Sequence, residues 1–399
     1  MKKPVISLSL TVLLLLSSFV GSFASTDYLR RVLNKLEDIE SVRFWAEMQT
    51  WHPGDNKAAH IANSYFESYR NSSDTLLKVS WARFDTDQKR RLTFAYDGKM
   101  KVVRNDGPKE MVVDSFKVKH LPFRPMATPF YNYTENIIRY ILENSDSTSV
   151  EYVDRGTEVY LKLTIYEDRQ VEFFGRAHYL SQNPFTFDPT SIYELWINKE
   201  TDLPYKVRRE MEQSISVISV SDAEFNTLNI ENFMVSDYFP KDYEIREYGQ
   251  KGIENLPNEM IGKKAADWTL QTVNNQDLSL SDLKSKVILL QFTSVSCGPC
   301  KASIPFLKQL SSEYKEADFD FVAIESTSNN PAVLKTYMQR NAFDYKFLLA
   351  TKDVLSKYSI SSYPLFFLLD ENRNITNVVN GYGQEKTDEE IRTLINNLL

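Results

Sequence analysis

The chain has 399 residues, of which 25% are charged, and its formal net charge is −7 at pH 7. This acidic balance and the absence of a basic, aromatic-rich patch argue against a nucleic-acid-binding protein, and the ordinary content of charged residues argues against a disordered chain. The length is sufficient for two domains.

The first 24 residues have the pattern of a signal peptide. Lys2 and Lys3 precede an apolar stretch, residues 5–20, and small residues follow up to Ala24. The pattern predicts cleavage after Ala24 and an exported protein, located in the periplasm or the cell envelope. The apolar stretch is shorter than the ~20 residues of a spanning helix, and an uncleaved N-terminal anchor is the alternative.

Residues 25–247 are predicted to form an α+β domain with a large antiparallel sheet. A first helix is indicated by apolar residues at helical spacing: Leu29, Val32, Leu33, Leu36 and Ile39. Segments that begin at Val42, Val159 and Tyr193 then alternate apolar and polar residues, as strands covered on one face do. Turn signals separate such segments: Pro53–Gly54, Asp97–Gly98, Asp106–Gly107, Arg155–Gly156 and Thr201–Pro204. A helix with Thr134 as its N-cap is predicted between the strands.

The segment from Tyr193 to Val207, a strand, an acidic-Leu-Pro turn and a second strand, is similar to part of the LolA-like half-barrel of periplasmic lipoprotein carriers. In that family the concave face of the sheet binds acyl chains, so the resemblance implies an apolar ligand on this domain. The alternative is that the aromatic side chains simply pack a core: Trp81, Phe94, Phe173 and Trp196.

Residues 248–260 are predicted to be a linker, because they are polar, contain two glycines and one proline and show no period. Residues 261–399 then alternate apolar strands with helices. Strands are predicted at 287–292, 319–324, 364–370 and 375–379, and helices from Pro299 and at 331–341, 352–358 and 387–399. Pro364, at the start of a strand, indicates either a sheet edge or a cis-proline loop.

The only two cysteines of the chain lie in the motif Cys297-Gly298-Pro299-Cys300. Two thiols at this spacing can close a disulfide at the start of a helix, where the helix N-terminus favours a thiolate. The four histidines lie far upstream without metal-ligand spacing, and Lys301 rather than histidine follows the motif, which argues against zinc and haem attachment. An inert disulfide that closes so small a ring stabilises little. The motif therefore favours redox exchange, without a metal or a cofactor.

Residues 261–399 resemble the thioredoxin fold, in particular the TlpA/ResA-type exported thiol–disulfide oxidoreductases. Four segments carry the likeness in the family's order: Gly262–Leu270, Leu278–Leu283, Cys297–Cys300 and Ser362–Leu365. The resemblance implies that Cys297 is the attacking thiol and Cys300 the resolving thiol. It implies that Tyr363 and Pro364 form a cis-proline loop that offers backbone groups to the substrate. The Gly298-Pro299 dipeptide resembles that of the reducing members.

Two positions depart from the thioredoxin pattern. Ser296 stands where a tryptophan usually precedes the first cysteine, and Gln291 stands where a buried aspartate usually accepts the proton of the second thiol. A water molecule or Glu325, at the end of the next strand, would then transfer the proton. The alternative is that Glu325 is an ordinary carboxylate at the end of a strand.

The sequence thus predicts an exported thiol–disulfide oxidoreductase that reduces protein disulfides, with an N-terminal domain that recruits substrates. Its expected partners are proteins with disulfides and an electron donor that restores the thiols. The alternative is a carrier or binding protein for an apolar ligand or lipoprotein, with an auxiliary redox module.

Overall fold

The computed structural model describes residues 25–51, 57–85, 91–106, 109–117, 128–144, 148–180, 188–212, 214–250, 257–328, 330–343 and 345–399. The predicted signal peptide, the turn at Pro53–Gly54, Gly107 and residues 251–256 of the predicted linker lie outside these residues.

The region before the linker contains helices α1 (25–37) and α2 (Phe130–Glu143). Its strands are β1 (Ser41–Trp51), β2 (His60–Arg70), β3 (Val79–Asp85), β4 (Leu92–Tyr96), β5 (Lys101–Asn105), β6 (Glu110–Asp114), β7 (Thr148–Asp154), β8 (Glu158–Ile165), β9 (Val171–Phe173), β10 (Ala177–Tyr179), β11 (Ser191–Asn198), β12 (Leu203–Met211), β13 (Ser214–Phe225) and β14 (Glu244–Glu247).

Twelve of these strands form one sheet, in the order β14-β6-β5-β4-β3-β2-β1-β13-β12-β11-β8-β7. Neighbours pair antiparallel, as predicted, except that β14 runs parallel to β6. Strands β9 and β10 pair separately. Within the described part of the chain β14 and β7 are the two edges, so the sheet is open and not a closed barrel. The likeness to the lipoprotein carriers stays a prediction.

One face of this sheet is covered by α1 and α2, and the predicted alternation is confirmed. The inward side chains of β1, β8 and β11 that the sequence indicated belong to a single apolar cluster: Val42, Phe44, Ala46, Val159, Leu161, Leu163, Ile165, Tyr193, Leu195 and Ile197. The prediction that only one face is covered is wrong for β2 to β6. There Ala82, Phe84 and Met111 pack under Phe233 and Val235, because alternate residues on these strands are also apolar.

The prediction that Thr134 caps a helix is also wrong. Helix α2 begins at Phe130, one turn earlier, with Pro129 at its N-cap position. Thr134 is fully buried inside the helix, and its hydroxyl donates to the carbonyl oxygen of Tyr131 at 3.1 Å. Proline is favoured at the start of a helix, and threonine can satisfy its hydroxyl within the preceding turn, so both residues fit these positions.

The region after the linker contains helices α3 (Gly298–Ala302), α4 (Ile304–Glu313), α5 (Pro331–Asn341), α6 (Lys352–Lys357) and α7 (Glu385–Asn396). Its strands are β15 (Thr269–Thr272), β16 (Asp277–Ser279), β17 (Val287–Thr293), β18 (Phe319–Glu325), β19 (Lys346–Leu349), β20 (Leu365–Leu369) and β21 (Ile375–Asn380). The predicted strands and helices of this region are confirmed within a few residues at each end.

These strands form a seven-stranded sheet in the order β16-β15-β19-β18-β17-β20-β21. The central strands β17, β18 and β19 are parallel, and β20 is antiparallel to β17. Every residue of β17 is buried, because one apolar cluster, with α6, covers one face and another, with α4 and α7, covers the other. This is the thioredoxin fold that the sequence predicted.

The four apolar clusters divide at the predicted linker. The two on the N-terminal side contain residues from Tyr28 to Tyr243, and the other two contain residues from Met260 to Leu398. We therefore expect a fragment of residues 261–399 to fold alone and to reduce insulin at a rate close to that of the mature chain, because each half buries its own core.

Circular dichroism, thermal unfolding and insulin turbidity, measured beside the chain from residue 25, check this prediction. An insoluble fragment, or a folded fragment that is inactive toward insulin, would show that the two halves share a core or an active site.

Candidate active site

The cysteine motif lies where β17 leaves the centre of the sheet. Residues 294–296 follow the strand as a short loop, and the N–H of Cys297 donates to the carbonyl oxygen of Ser294 at 3.0 Å. Cys297 is the N-cap of α3, and Pro299 follows at a position where its missing N–H leaves no bond unmade. A buried strand, a tight loop and a helix start thus fix the position of the motif.

Cys297 and Cys300 form a disulfide with 5.2 Å between their Cα atoms. Cys297 is half-buried, whereas only 2% of Cys300 is exposed. The N–H of Cys300 donates to Cys297 Sγ at 3.1 Å. When the disulfide opens, this donor and the helix N-terminus favour a thiolate on Cys297, the more accessible sulfur. Gly298 has no neighbouring atom within 4 Å of the place where a Cβ would lie, so the surface above the motif is open.

Gln291, which replaces the buried aspartate of thioredoxins, is 2% exposed and forms a structural bond. Its side-chain amide donates to Ser303 Oγ at 3.1 Å, and that hydroxyl donates to the carbonyl oxygen of Cys300 at 2.7 Å. These two hydrogen bonds join β17 to the junction between α3 and α4. An amide does not titrate in water, so Gln291 supports the motif without accepting its proton.

Glu325 is a fully buried carboxylate beside the end of β17, because it pairs with Thr293 across the two central strands. Oε2 accepts the N–H of Val295 at 3.0 Å. Oε1 accepts the N–H groups of Thr327 and Ser328, both at 2.9 Å, and the hydroxyl of Thr327 at 2.7 Å. Burial raises the pKa of Glu325, while these hydrogen bonds oppose the rise. The sequence analysis predicted a role for Glu325 but did not identify its hydrogen-bond partners.

The loop of Tyr363 and Pro364 reaches the same edge of the sheet. The peptide bond between them is cis, as the resemblance implied. Leu365, the next residue, pairs with Phe292 of β17, which places the loop beside the end of that strand. Tyr363 is half-buried, and burial raises its pKa, while a hydrogen bond with Ser326 opposes the rise. Both loops that follow the central strands therefore lie near the loop of Tyr363.

A line of hydroxyl groups near the motif was not identified from the sequence. Ser294 Oγ lies 2.9 Å from Ser296 Oγ and 2.8 Å from Thr327 Oγ1. The available signal was that small polar residues follow both central strands, at 294–296 and 326–328. Parallel neighbours end at one edge of a sheet, so such loops meet there.

This fold, with an accessible cysteine at a helix start bonded to a buried one, defines a thioredoxin-like thiol–disulfide exchange protein. Residues 260–395 match the Redoxin family. Thioredoxin-like protein YneN of Bacillus subtilis (strain 168) is 30% identical over 131 residues, which are 32% of this chain and 76% of that protein. Thiol-disulfide oxidoreductase ResA of Bacillus cereus (strain ZK / E33L) is 29% identical over 135 residues, 33% of this chain and 74% of that protein.

Among solved structures, a thioredoxin-family thiol:disulfide interchange protein from Chlorobium tepidum TLS is 23% identical, with a TM-score of 0.30, over 33% of this chain and 94% of that one. The Redoxin match and the relatives YneN and ResA confirm the resemblance predicted for residues 261–399. The chain belongs to the thioredoxin-like family of thiol–disulfide oxidoreductases.

A Glu325→Gln variant tests the raised pKa. Between its unfolded-state pKa and its raised folded-state pKa, a carboxyl group binds more protons in the folded than in the unfolded protein. The free energy of unfolding therefore falls as pH rises through this range. We expect the free energy of unfolding of the variant, relative to wild type, to increase as pH rises above about 4.3 and then to level off. The gain is about 1.4 kcal/mol for each unit by which the folded pKa exceeds the unfolded one.

Denaturant titrations between pH 4 and 9 measure this difference. Gln291→Met is the buried control, and its difference from wild type should not vary with pH, since neither residue titrates. A flat profile for Glu325→Gln, or one that falls as pH rises, would contradict the raised pKa.

Proposed function

We propose that this chain is an exported enzyme of the periplasm or cell envelope that reduces protein disulfides through Cys297 and Cys300. The observation that carries the proposal is the different exposure of the two bonded cysteines. Cys297 is half-buried at the start of a helix, and Cys300 is buried. Among the described residues no helix is long and apolar enough to cross a membrane.

The exchange proceeds in two displacements. The thiolate of Cys297 attacks one sulfur of a substrate disulfide, a mixed disulfide forms, and the other substrate sulfur leaves as a thiolate that takes up a proton. Cys300 then loses its proton and attacks Cys297 Sγ, which releases the second substrate thiol and forms the Cys297–Cys300 disulfide. Two electrons pass to the substrate, and an external dithiol donor restores the enzyme.

Glu325 is the proposed acceptor for the proton that Cys300 releases. Gln291 cannot accept it, and Glu325 is a titratable group buried beside the loop that leads to Cys297. A raised pKa brings a carboxyl group closer to the pH at which it can both accept and return a proton.

Tyr363 and Pro364 are the proposed contacts for the substrate chain. Their loop lies beside the end of β17, and β20 continues from it into the sheet. The N–H of Gly381 donates to the carbonyl oxygen of Pro364 at 2.8 Å, which fixes the loop on its inner side. The backbone of Tyr363, one residue earlier, is then placed to pair with an extended substrate segment.

We propose that residues 25–247 form a domain that recruits substrates, residues 248–260 a linker and residues 261–399 the redox domain. The support is a cleft of about 470 Å³ between the two regions, lined by Asp188, Thr190, Ile192, Glu210, Met211, Glu212 and Arg340. Burial lowers the pKa of Lys301, next to Cys300, and the charge of Glu212 opposes that change. An acidic wall close to the cysteine motif favours substrates with basic residues beside the disulfide.

The trapping experiment tests the order of the two thiols. Reduced Cys300→Ser, incubated with a disulfide-containing protein such as insulin, should accumulate a mixed disulfide through Cys297, because no second thiol can resolve it. Reduced Cys297→Ser should accumulate little, because its remaining thiol is buried. Insulin reduction should fall to the uncatalysed rate in both variants. Non-reducing electrophoresis and mass spectrometry identify the adducts. Equal trapping by the two variants would contradict the assignment of Cys297 as the attacking thiol and Cys300 as the resolving thiol.

We also propose that the N-terminal sheet holds an apolar ligand with an acidic group. A cavity of about 300 Å³ lies between the sheet and the start of α2, lined by Phe44, Ala46, Met48, Phe66, Trp81, Arg83, Phe94, Lys101, Thr128, Pro129, Phe130 and Ile218. Arg83, which donates to Thr93 Oγ1 at 2.9 Å, and Lys101, which pairs with Asp114 at 3.8 Å, are the cations among these apolar side chains. Such a lining suits an amphipathic anion such as a fatty acid. Trp81 and Phe94 line this cavity, but Trp81 and Phe173 are both buried in the apolar core and Phe94 packs against it, as the alternative interpretation of the aromatic residues predicted. Trp196 lies outside that core, half-buried against Tyr160.

An Ile218→Trp variant should fill this cavity and weaken the binding of a fluorescent fatty acid about tenfold or more. Ser219→Trp is the control, because successive residues of a strand point to opposite faces of the sheet. Fluorescence titration measures the affinities, and insulin reduction should be unchanged in both variants. Wild type that does not bind the probe, or equal weakening by both substitutions, would contradict this ligand site.

A further inference from the structure

The buried position of Glu325 raises a question of access. None of its side chain is exposed, and three of the four hydrogen bonds that it forms with described residues come from backbone N–H groups, which do not pass protons on. The fourth comes from the hydroxyl of Thr327. Of the hydrogen-bond partners that the described residues supply, Thr327 Oγ1 is therefore the one that can exchange a proton with this carboxyl group.

The hydroxyl of Thr327 begins a continuous line to the surface. Thr327 Oγ1 lies 2.7 Å from Glu325 Oε1 and 2.8 Å from Ser294 Oγ. Ser294 Oγ lies 2.9 Å from Ser296 Oγ. Ser294 is 2% exposed, whereas Thr327 and Ser296 are half-buried, and Ser296 directly precedes Cys297. The line thus runs from a fully buried carboxyl group to the rim of the cysteine motif.

We propose that Thr327, Ser294 and Ser296 form a proton relay between Glu325 and the rim of the active site. The proposal rests on the proposed function, in which Glu325 stores the proton that the resolving thiol releases. A proton that enters at Ser296 Oγ displaces the proton of that hydroxyl to Ser294, Ser294 passes its own to Thr327, and Thr327 passes its own to Glu325. The thiol loses one proton, the carboxylate gains one, and each hydroxyl ends with one.

The other groups near Glu325 do not compete for this proton. Tyr337 of α5 and Tyr363 of the cis-proline loop are close enough for its charge to raise their pKa values, and burial raises both further. Both phenols therefore stay protonated at neutral pH. Lys301, which follows Cys300, is a cation whose pKa burial lowers and the charge of Glu212 raises. The cysteines are the titratable groups of the motif itself, and their thiols are the source of the proton.

A structural role for the same hydroxyls is the competing explanation, because they also join the two loops. Conservative variants separate the two roles. Thr327→Val keeps the shape and removes the hydroxyl, and Thr327→Ser restores a hydroxyl. Ser296→Ala removes the outer end of the relay at a half-buried position where folding is less sensitive. Ser328→Ala removes a neighbouring hydroxyl that lies outside the relay, although the backbone N–H of Ser328 bonds to Glu325.

The experiment measures resolution of a preformed mixed disulfide in the full chain, by stopped flow from pH 5 to 9 in H₂O and D₂O. We expect Thr327→Val and Ser296→Ala to slow resolution at neutral pH about tenfold to a hundredfold, up to the lower end of the range for general acid–base catalysis, because each removes one step of the transfer and not the acceptor. They should also alter the pH profile and the solvent isotope effect. Thr327→Ser and Ser328→Ala should behave like wild type, and melting temperatures identify variants that act through folding.

The outcomes separate the relay from the function on which it rests. If Glu325→Gln slows resolution but Thr327→Val and Ser296→Ala do not, the relay is wrong and Glu325 exchanges protons by another route. If Glu325→Gln has no effect, its proposed role as proton acceptor fails as well. If Thr327→Ser is as slow as Thr327→Val, the residue acts through packing and the relay is wrong. Trapping by Cys300→Ser tests the thiol assignment independently of all three results.

Discussion

The active site depends on the parallel pairing of β17 with β18. In this register Thr293 pairs with Glu325, so both strands end at one level and their following loops meet. A carboxyl group in that place is cut off from water, and burying it is costly unless hydrogen bonds surround it. The backbone of both loops supplies them, from Val295 on one side and from Thr327 and Ser328 on the other. One side chain thus holds together the loop that carries Cys297 and the loop opposite it.

Sequence patterns predict the elements of this fold well, because burial leaves a direct mark on composition. A strand that is covered on both faces must be apolar throughout, as Val287–Phe292 is, and strands with one covered face alternate, as Val159 to Ile165 do. The cysteine motif predicts thiol–disulfide exchange directly from the sequence. Its spacing sets the size of the ring that the disulfide closes, and the helix that follows determines which sulfur is buried.

The pairing of strands and their register cannot be read from the composition of the sequence in this way. Ser294, Ser296 and Thr327 are ordinary loop residues in the sequence, and they become a line of hydroxyls only when β17 and β18 align. The second covered face of β2 to β6 escaped prediction for a similar reason, because the segment that covers it lies more than a hundred residues further along the chain. The start of α2 was misplaced because threonine is a good N-cap residue, whereas Thr134 lies in the second turn of a helix that begins at Phe130.

The two departures from the thioredoxin pattern are linked through this geometry. Gln291, at the position of the proton-accepting aspartate, hydrogen-bonds instead to Ser303, between α3 and α4, and the proposed proton acceptor is therefore Glu325. Ser296, in place of a bulky tryptophan, leaves a small hydroxyl next to the motif, in line with the buried carboxyl group of the neighbouring strand.

The edges of the N-terminal sheet bear on how it could meet a protein substrate. An exposed edge strand can pair with another chain, and charged side chains oppose such pairing. Edge strand β7 carries Glu151 and Asp154, and edge strand β14 carries Glu244, Arg246 and Glu247. Strand addition at these edges is therefore disfavoured. The proposed recruitment of substrates therefore rests on the cleft lined by Glu212 and Arg340, where the charge of Glu212 reaches Lys301 beside the cysteine motif.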